Sequence, residues 1–297
     1  MPLSSRKIVF LVVGGDSRQT YLAARLAREN ALVYTYGLDG TNKAEGCAAL
    51  DAPEELPEKA DVLVLPIVSS NDGVHVTAPF LSDDGIPVSA LLPCLKPGAL
   101  VAGGRIMPET DAFFTARGFA VSDYFTREEL IIKNCIPTAE GALQIAMEEL
   151  PITMSGAKVL ITGFGRVAKA TAKIFKSVDA SVSICARKYA DLAWAQLYGY
   201  APVHISKLSD EISGYDLVIN TIPAIVLNHE ILAKLSPEAL VIDLASKPGG
   251  VDFETARQLR LKAIWALSLP GKVAPVTSGI IIADTVVNIL RERGEQL

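Results

Sequence analysis

The stretch Lys158-Val-Leu-Ile-Thr-Gly-Phe-Gly-Arg-Val-Ala168 constrains this chain more than any other. Its first half is an unbroken apolar run of strand length. Its second half is a glycine turn that opens a helical pattern. Gly163, Gly165 and Ala168 match the G-x-G-x-x-G/A spacing of a dinucleotide-binding βαβ unit. The first glycine permits the tight turn and the second lets backbone approach a pyrophosphate. The small third residue lets helix and strand pack closely, which puts the phosphates at the helix N-terminus. Gly163, Phe164, Gly165, Arg166, Val167 and Ala168 are therefore the expected cradle of a dinucleotide.

Such a turn needs a parallel sheet around it, and the flanking sequence predicts one. After Gly165, residues Val167, Thr171, Ile174, Phe175 and Val178 share one helical face, with Lys169, Lys173 and Lys176 off it. Strands are expected at 181–185, 217–220 and 240–244, with helices at 191–198 and 228–235 between them. The first half repeats the alternation: apolar runs at 8–13, 32–36 and 62–68, then shorter ones at 100–102 and 119–121. Continuous apolar runs alternating with helical segments indicate parallel sheets covered on both faces. Gly14-Gly-Asp-Ser-Arg18 closes the first run but lacks the fingerprint spacing. From Thr138, read as a helix cap with Glu140 in the first turn, a helix runs to Leu150 and stops at Pro151. The expected fold is α/β: two Rossmann-like, doubly wound parallel-sheet domains joined by helices, with a cleft between them. The expected spans are an N-terminal substrate domain at 1–137, a bridging helix at 138–150 and a dinucleotide-binding Rossmann domain at 151–276. A C-terminal helix at 277–297, apolar almost all round at its start, is expected to pack between the domains.

At 297 residues there is room for two domains with separate cores. A net charge of −5 gives no electrostatic reason to expect nucleic acid or an anionic membrane as partner. Basic residues in turns are then informative, because an acidic protein that binds an anion must gather cations locally. Cys47, Cys94, Cys135 and Cys185 form no C-x-x-C pair and the chain has three histidines, so no metal site is expected. Arg6-Lys7 before residues 8–13 has the look of a short signal peptide, but Gly14-Gly-Asp-Ser-Arg18 follows without a cleavage site. No apolar segment reaches bilayer length, and the expected compartment is the reducing cytoplasm.

An NAD-selective fingerprint places Asp or Glu at the end of the second strand, about 20 residues after the glycines. Here that position reads Cys185-Ala-Arg187-Lys188. A carboxylate there would repel a 2′-phosphate, whereas Arg187, with Lys188 beside it, can pair with one, so NADP is expected over NAD. The alternative is a solvated basic pair opening a surface helix. Asn220-Thr221-Ile222-Pro223 and Asp243-Leu-Ala-Ser246-Lys-Pro-Gly-Gly250 leave later strands on the ligand-binding edge, so Thr221, Ile222, Pro223 and Ser246 join the expected cofactor set. Lys272 lies in a Gly/Pro-rich approach to the last helix. In the first half, Arg18 opens a helix, an unfavourable end for a cation unless an anion lies beside it. Gly103-Gly-Arg105 is a further glycine turn carrying an arginine. Arg18, Arg105 and Lys272 form a candidate clamp for a small dicarboxylate, and Asp16 or Glu140 a candidate proton acceptor. No Ser/His/Asp or Cys/His arrangement is visible.

Taken together, Gly14-Gly-Asp-Ser-Arg-Gln19, Pro137-Thr-Ala-Glu-Gly141, the Gly163–Ala168 turn, Asn220–Pro223, Asp243–Gly250 and Leu269-Pro-Gly-Lys-Val-Ala-Pro275 carry a family likeness. With them the chain resembles the A-subunit family of dipicolinate synthase over its whole length. The Pro-Thr-x-x-Gly bridge and the Pro-Gly approach to the last helix are similar, more distantly, to methylenetetrahydrofolate dehydrogenases. The layout is similar to alanine dehydrogenase and adenosylhomocysteinase. The resemblance implies an oxidoreductase that works with the dipicolinate synthase B-subunit to form pyridine-2,6-dicarboxylate from a dihydrodipicolinate-type intermediate of the lysine pathway. It places that activity in the mother-cell cytoplasm of a sporulating bacterium; self-association of the chain into a homo-oligomer is also expected. It supplies no catalytic residue. The alternatives are an NADP-dependent methylene-folate or imino-acid enzyme of like architecture, or a nucleotide-binding partner protein that does not itself react.

Overall fold

The run Val-Phe-Leu-Val-Val becomes β1 (Val9–Val13), buried at every position in the computed structural model, which describes residues 6–38, 40 and 44–295. Burial at every position means that both faces of the strand are covered. Phe10 and Val12 enter one core, while Val9, Leu11 and Val13 enter another on the opposite face. Asp16 then caps α1 (Ser17–Leu26), accepting from the Arg18 backbone N–H. The chain continues through β2 (Leu32–Tyr36), β3 (Ala48–Leu50), β4 (Ala60–Val64) and a small antiparallel hairpin, β5 (His75–Val76) with β6 (Ile86–Pro87). It goes on through β7 (Leu95–Gly103), α2 (Pro108–Thr115) and β8 (Ala120–Asp123). β4 stops short of the expected 62–68 because Pro66 has no N–H to extend the ladder.

The long helix α3 (Glu128–Glu149) corrects the expected start at Thr138. Its first turn carries Glu128 and Glu129, where carboxylates meet the positive end of the helix dipole. Thr138 is not a cap: its hydroxyl donates back to the Asn134 carbonyl within the helix. Pro137, which reads as a boundary in sequence, is tolerated inside α3, where it withdraws the N–H that would pair with Lys133. The division between two compact units falls at that point: Met1–Lys133 with Ala274–Leu297, and Asn134–Val273.

The second unit runs β9 (Lys158–Thr162), α4 (Arg166–Ser177), β10 (Ser181–Ala186), α5 (Tyr189–Leu197), β11 (Ala201–His204) and α6 (Leu208–Glu211). It continues through β12 (Leu217–Asn220), α7 (His229–Leu232), β13 (Leu240–Asp243), α8 (Phe253–Gln258), β14 (Lys262–Trp265) and α9 (Leu269–Val273). Each unit has a six-stranded parallel sheet, ordered β3-β2-β1-β4-β7-β8 in the first and β11-β10-β9-β12-β13-β14 in the second. Both orders reverse direction beside the first strand, the crevice where open α/β sheets take ligands. The fold class is thus the expected one, with two Rossmann-type sheets.

The last helix, α10 (Pro275–Glu292), returns to the first unit. Ile281, Ile282, Val286, Val287, Ile289 and Leu290 join the core that holds Phe10 and Leu22, which accounts for its nearly all-round apolar character. Gly279 brings it against α1: a Cβ there would meet the Arg18 carbonyl and lie 2.8 Å from Tyr21 Cβ. Backbone cannot yield as a flexible side chain would. In Gly279→Ala, the propensity gain of about 1 kcal/mol is set against overpacking of about 1–3 kcal/mol or more. We expect a net loss of stability and a lower urea midpoint; an unchanged or raised midpoint would show that α10 can shift away without cost.

Candidate functional site

In the second unit, β9 delivers the chain to Gly163, whose φ of +88° is the left-handed conformation that only glycine adopts freely. A Cβ at Gly163 would lie 2.7 Å from Thr221 Oγ1, so the turn also needs glycine for space. Gly165 is extended backbone that caps α4 without any side-chain hydrogen bond, and a Cβ there would meet nothing within 4 Å. Ala168 is fully buried, where a larger residue would push α4 off the sheet. An open helix N-terminus behind a glycine turn is an anion site by geometry and dipole alone, and these residues fit a dinucleotide pyrophosphate. Phe164 is buried against Tyr198, with Lys169 Nζ 5.2 Å from its ring centroid.

The loops of three neighbouring strands are tied together beneath this turn by one buried polar network. Thr162 Oγ1 donates to Asn220 Oδ1 (2.6 Å), and Asn220 Nδ2 donates to Asp243 Oδ1 (2.7 Å) and to the Ile222 carbonyl (2.9 Å). The Asp243 carboxylate, fully buried, also accepts from the backbone N–H groups of Ala245 (2.9 Å) and Gly250 (2.7 Å). Thr221 Oγ1 closes back onto the Thr162 carbonyl at 2.7 Å. Gly250 has no room for a Cβ, which would meet Asn220 Nδ2 and the carbonyls of Ile222 and Ala224. Thr221, Ile222 and Pro223 therefore stand beside Gly163 at the carboxyl edge of the sheet, and exposed Ser246 lies on the next loop.

Arg187 and Lys188 leave β10 on the other side of β9, both exposed. Around them the structure places two residues that sequence reasoning misses. Tyr189, 78% exposed, stacks on the His204 ring with centroids 4.9 Å apart. His204 Nδ1 accepts from Ser206, which leaves Nε2 to donate to the Arg187 carbonyl at 3.1 Å. The signal that could have found them is an aromatic residue immediately after a basic pair.

In the first unit, Asp16, Arg18 and Arg105 share the carboxyl edge of the sheet, Asp16 and Arg18 after β1 and Arg105 after β7. Arg18 is forked onto its neighbour: Nε reaches Asp16 Oδ1 at 2.8 Å and Nη2 reaches Oδ2 at 2.6 Å. Arg105 is a non-glycine residue at φ +50°, held there by Asp123, whose carboxylate accepts from the N–H groups of Arg105 (3.1 Å) and Ile106 (3.0 Å). Its guanidinium lies 4.7 Å from the Phe125 ring centroid. Glu140 and Lys272 belong to the second unit, on α3 and α9. Those helices pack closely, with Leu269 Cβ 3.1 Å from where a Gly141 Cβ would be. Burial pushes the Cys185 thiol up to about 12 and the Cys47 thiol up to about 11, so neither is a thiolate nucleophile at neutral pH. Among the described residues no cluster of His, Cys, Asp and Glu could hold a metal ion, and no helix is long and apolar enough to cross a membrane.

Residues 9–125 match the family model of the N-terminal domain of the dipicolinate synthase A-subunit, and residues 150–256 match a model described as "Putative NAD(P)-binding". The dipicolinate synthase A-subunit of Bacillus subtilis (strain 168) is 30% identical over 282 residues, covering 95% of each chain. The crystal structure of the A-subunit from Bacillus halodurans superposes with a TM-score of 0.85 at 32% identity, over 95% of this chain and 97% of that one. A transhydrogenase from Sinorhizobium meliloti shares the fold, with a TM-score of 0.71 at 16% identity over 96% of this chain and 93% of that one. The chain belongs to the A-subunit family of dipicolinate synthase and carries an NAD(P)-binding domain.

Removing the carboxylate of Asp243 would strand three buried donors at once. Asp243→Ala should cost about 3 kcal/mol or more in urea unfolding and weaken dinucleotide binding measured by titration. Wild-type stability in this variant would show that the loops are held by other contacts.

Proposed function

We propose that this chain is the NADP-dependent oxidoreductase component that forms pyridine-2,6-dicarboxylate from a dihydrodipicolinate-type intermediate of the lysine pathway during sporulation. In this reading it works with the dipicolinate synthase B-subunit in the mother-cell cytoplasm. The observation that carries the cofactor choice is the end of β10, where Arg187 and Lys188 stand exposed at the position that NAD-selective sites give to a carboxylate. The open N-terminus of α4 receives the pyrophosphate, and Thr221 to Pro223 with Ser246 border the remainder of the cofactor. When bound there, NADP⁺ supplies a two-electron acceptor for hydride.

The protein's own task is then positional. Aromatisation of a dihydropyridine ring provides much of the driving force, so the side chains need mainly to hold the substrate carboxylates and take up one ring proton. Arg18 and Arg105 are the carboxylate ligands of the first unit. Asp16, already in contact with Arg18, is the proton acceptor. Aromatisation removes one proton and one hydride from the dihydropyridine dicarboxylate: the Asp16 carboxylate would take the proton, and the nicotinamide that the Gly163–Ala168 turn would hold would take the hydride.

A product assay with NADP⁺ and the dihydrodipicolinate precursor, with and without the B-subunit, tests the reaction. Formation of dipicolinate with matching NADPH supports it. A chain that binds NADP⁺ yet never changes its redox state beside its partner would instead be a nucleotide-binding accessory. The cofactor choice has its own test. A hydrogen bond to a charged group is worth about 1.5–3 kcal/mol, or about 10- to 150-fold in affinity, so Arg187→Asp should move the NADP/NAD affinity ratio toward NAD by that factor. An unchanged ratio would sink the assignment.

A further inference from the structure

The first unit keeps a small group of polar side chains that no described residue satisfies. Gln19 is only 2% exposed, yet among the described residues neither its amide nitrogen nor its amide oxygen has a hydrogen-bond partner. Thr77 Oγ1 is buried and unpartnered in the same way. Both lie at one turn. Gln19 folds back over Gly15, its Cγ 2.5 Å and its Cδ 3.5 Å from where a Gly15 Cβ would be. The Thr77 carbonyl accepts from the Gly15 N–H at 2.7 Å and lies 2.5 Å from where a Gly14 Cβ would be. Gly14 and Gly15 have φ of +61° and +85°, so the turn combines left-handed backbone with close approach on both sides. It is the turn that leads into the ten-residue helix α1, at whose head Arg18 sits.

Each orphaned buried polar group costs about 1–3 kcal/mol against a partnered one. A leucine or methionine would fill the same volume without that cost. The electrostatics next door are also incomplete: the first turn of α1 holds no acidic residue and carries a cation, Arg18, whose counter-ion Asp16 is about half exposed. A carboxylate at this turn would accept from the Gln19 amide and the Thr77 hydroxyl, lie at the positive end of α1 and share the Arg18 guanidinium. The Gln19 amide nitrogen, the Thr77 hydroxyl and Arg18 thus call for an anionic acceptor, while the Gln19 amide oxygen calls for a donor on the same ligand or on water. Resting on the reading that the first unit takes the dicarboxylate, we propose that Gln19 and Thr77 at the Gly14–Gly15 turn are the uncharged hydrogen-bonding half of a carboxylate subsite whose charged half is Arg18.

The probe is pyridine-2,6-dicarboxylate, titrated calorimetrically into the full chain with NADP in metal-free buffer. Gln19→Met and Thr77→Val should each weaken its binding about ten-fold or more while leaving the NADP titration unchanged. Gln19→Met should also melt at the same or a higher temperature than the wild type, because it removes an unpaired amide. That pairing of weaker ligand binding with undiminished stability is one that a structural role would not give. Wild-type affinity in both variants overturns the subsite, as does a lower melting temperature in Gln19→Met, which would mean that the amide is satisfied within the protein. If the wild type itself fails to bind the dicarboxylate, the functional reading and this subsite fall together. If the wild type binds it and both variants bind equally well, only the subsite falls.

Discussion

The loops that leave β9, β12 and β13 depend on one buried carboxylate. Asp243 takes three donors from three directions, the amide of Asn220 and the backbone of Ala245 and Gly250. A charge buried without partners would cost more stability than a domain of this size has. Satisfied as it is, it fixes where three loops leave the sheet. Asn220 passes the constraint on to Thr162, the last residue before the glycine turn. The dinucleotide turn is therefore positioned by polar contacts from the strands after it as well as by its own glycines. Its rigidity comes from hydrogen bonds that water cannot reach to compete for.

The same strand order occurs twice, and the two copies use it differently. In the second sheet the polar groups under the ligand edge are paired, and the helix that follows opens without a side-chain cap. In the first sheet the corresponding helix is capped by Asp16, the following arginine is forked onto that cap, and buried amide and hydroxyl groups nearby lack partners. Arg105 adds a left-handed residue whose backbone N–H the Asp123 carboxylate holds in place. Local strain and unpaired polarity of this sort persist where the surrounding core over-determines the backbone. Here the fully buried β1 and the α1–α10 packing provide that core.

Much of this was legible from the residues because the signals were local. Leu32–Tyr36 and Leu217–Asn220 are apolar runs bounded by polar or glycine residues, and they form strands with those bounds. The Gly163–Ala168 turn adopts the strand-turn-helix geometry that its spacing requires. Three of the edge strands were not visible, although the fourth, β8, was: β3, β11 and β14 are short, outward-facing or partly polar, and are strands only because a neighbour offers them a ladder. The start of α3 was hidden for the opposite reason. Pro137 carries a strong local stop signal, which tertiary packing of Ala139, Ala142 and Ala146 overrides. Side-chain pairing lay beyond sequence altogether: nothing in the string Gly-Gly-Asp-Ser-Arg-Gln says that Arg18 finds Asp16 while Gln19 finds no partner among the described residues.

That asymmetry bears on the division of work between the two units in the function proposed above. A dinucleotide is large, and its pyrophosphate is recognised by backbone, so its site can be complete before the ligand arrives. A small dicarboxylate offers few atoms to hold. Its site discriminates best by leaving its own polar groups unpaired, since a ligand that lacks the matching oxygen then leaves those groups unsatisfied. On the proposed function, a satisfied scaffold in one unit and orphaned groups in the other would be two answers to two ligand sizes, built on one strand order.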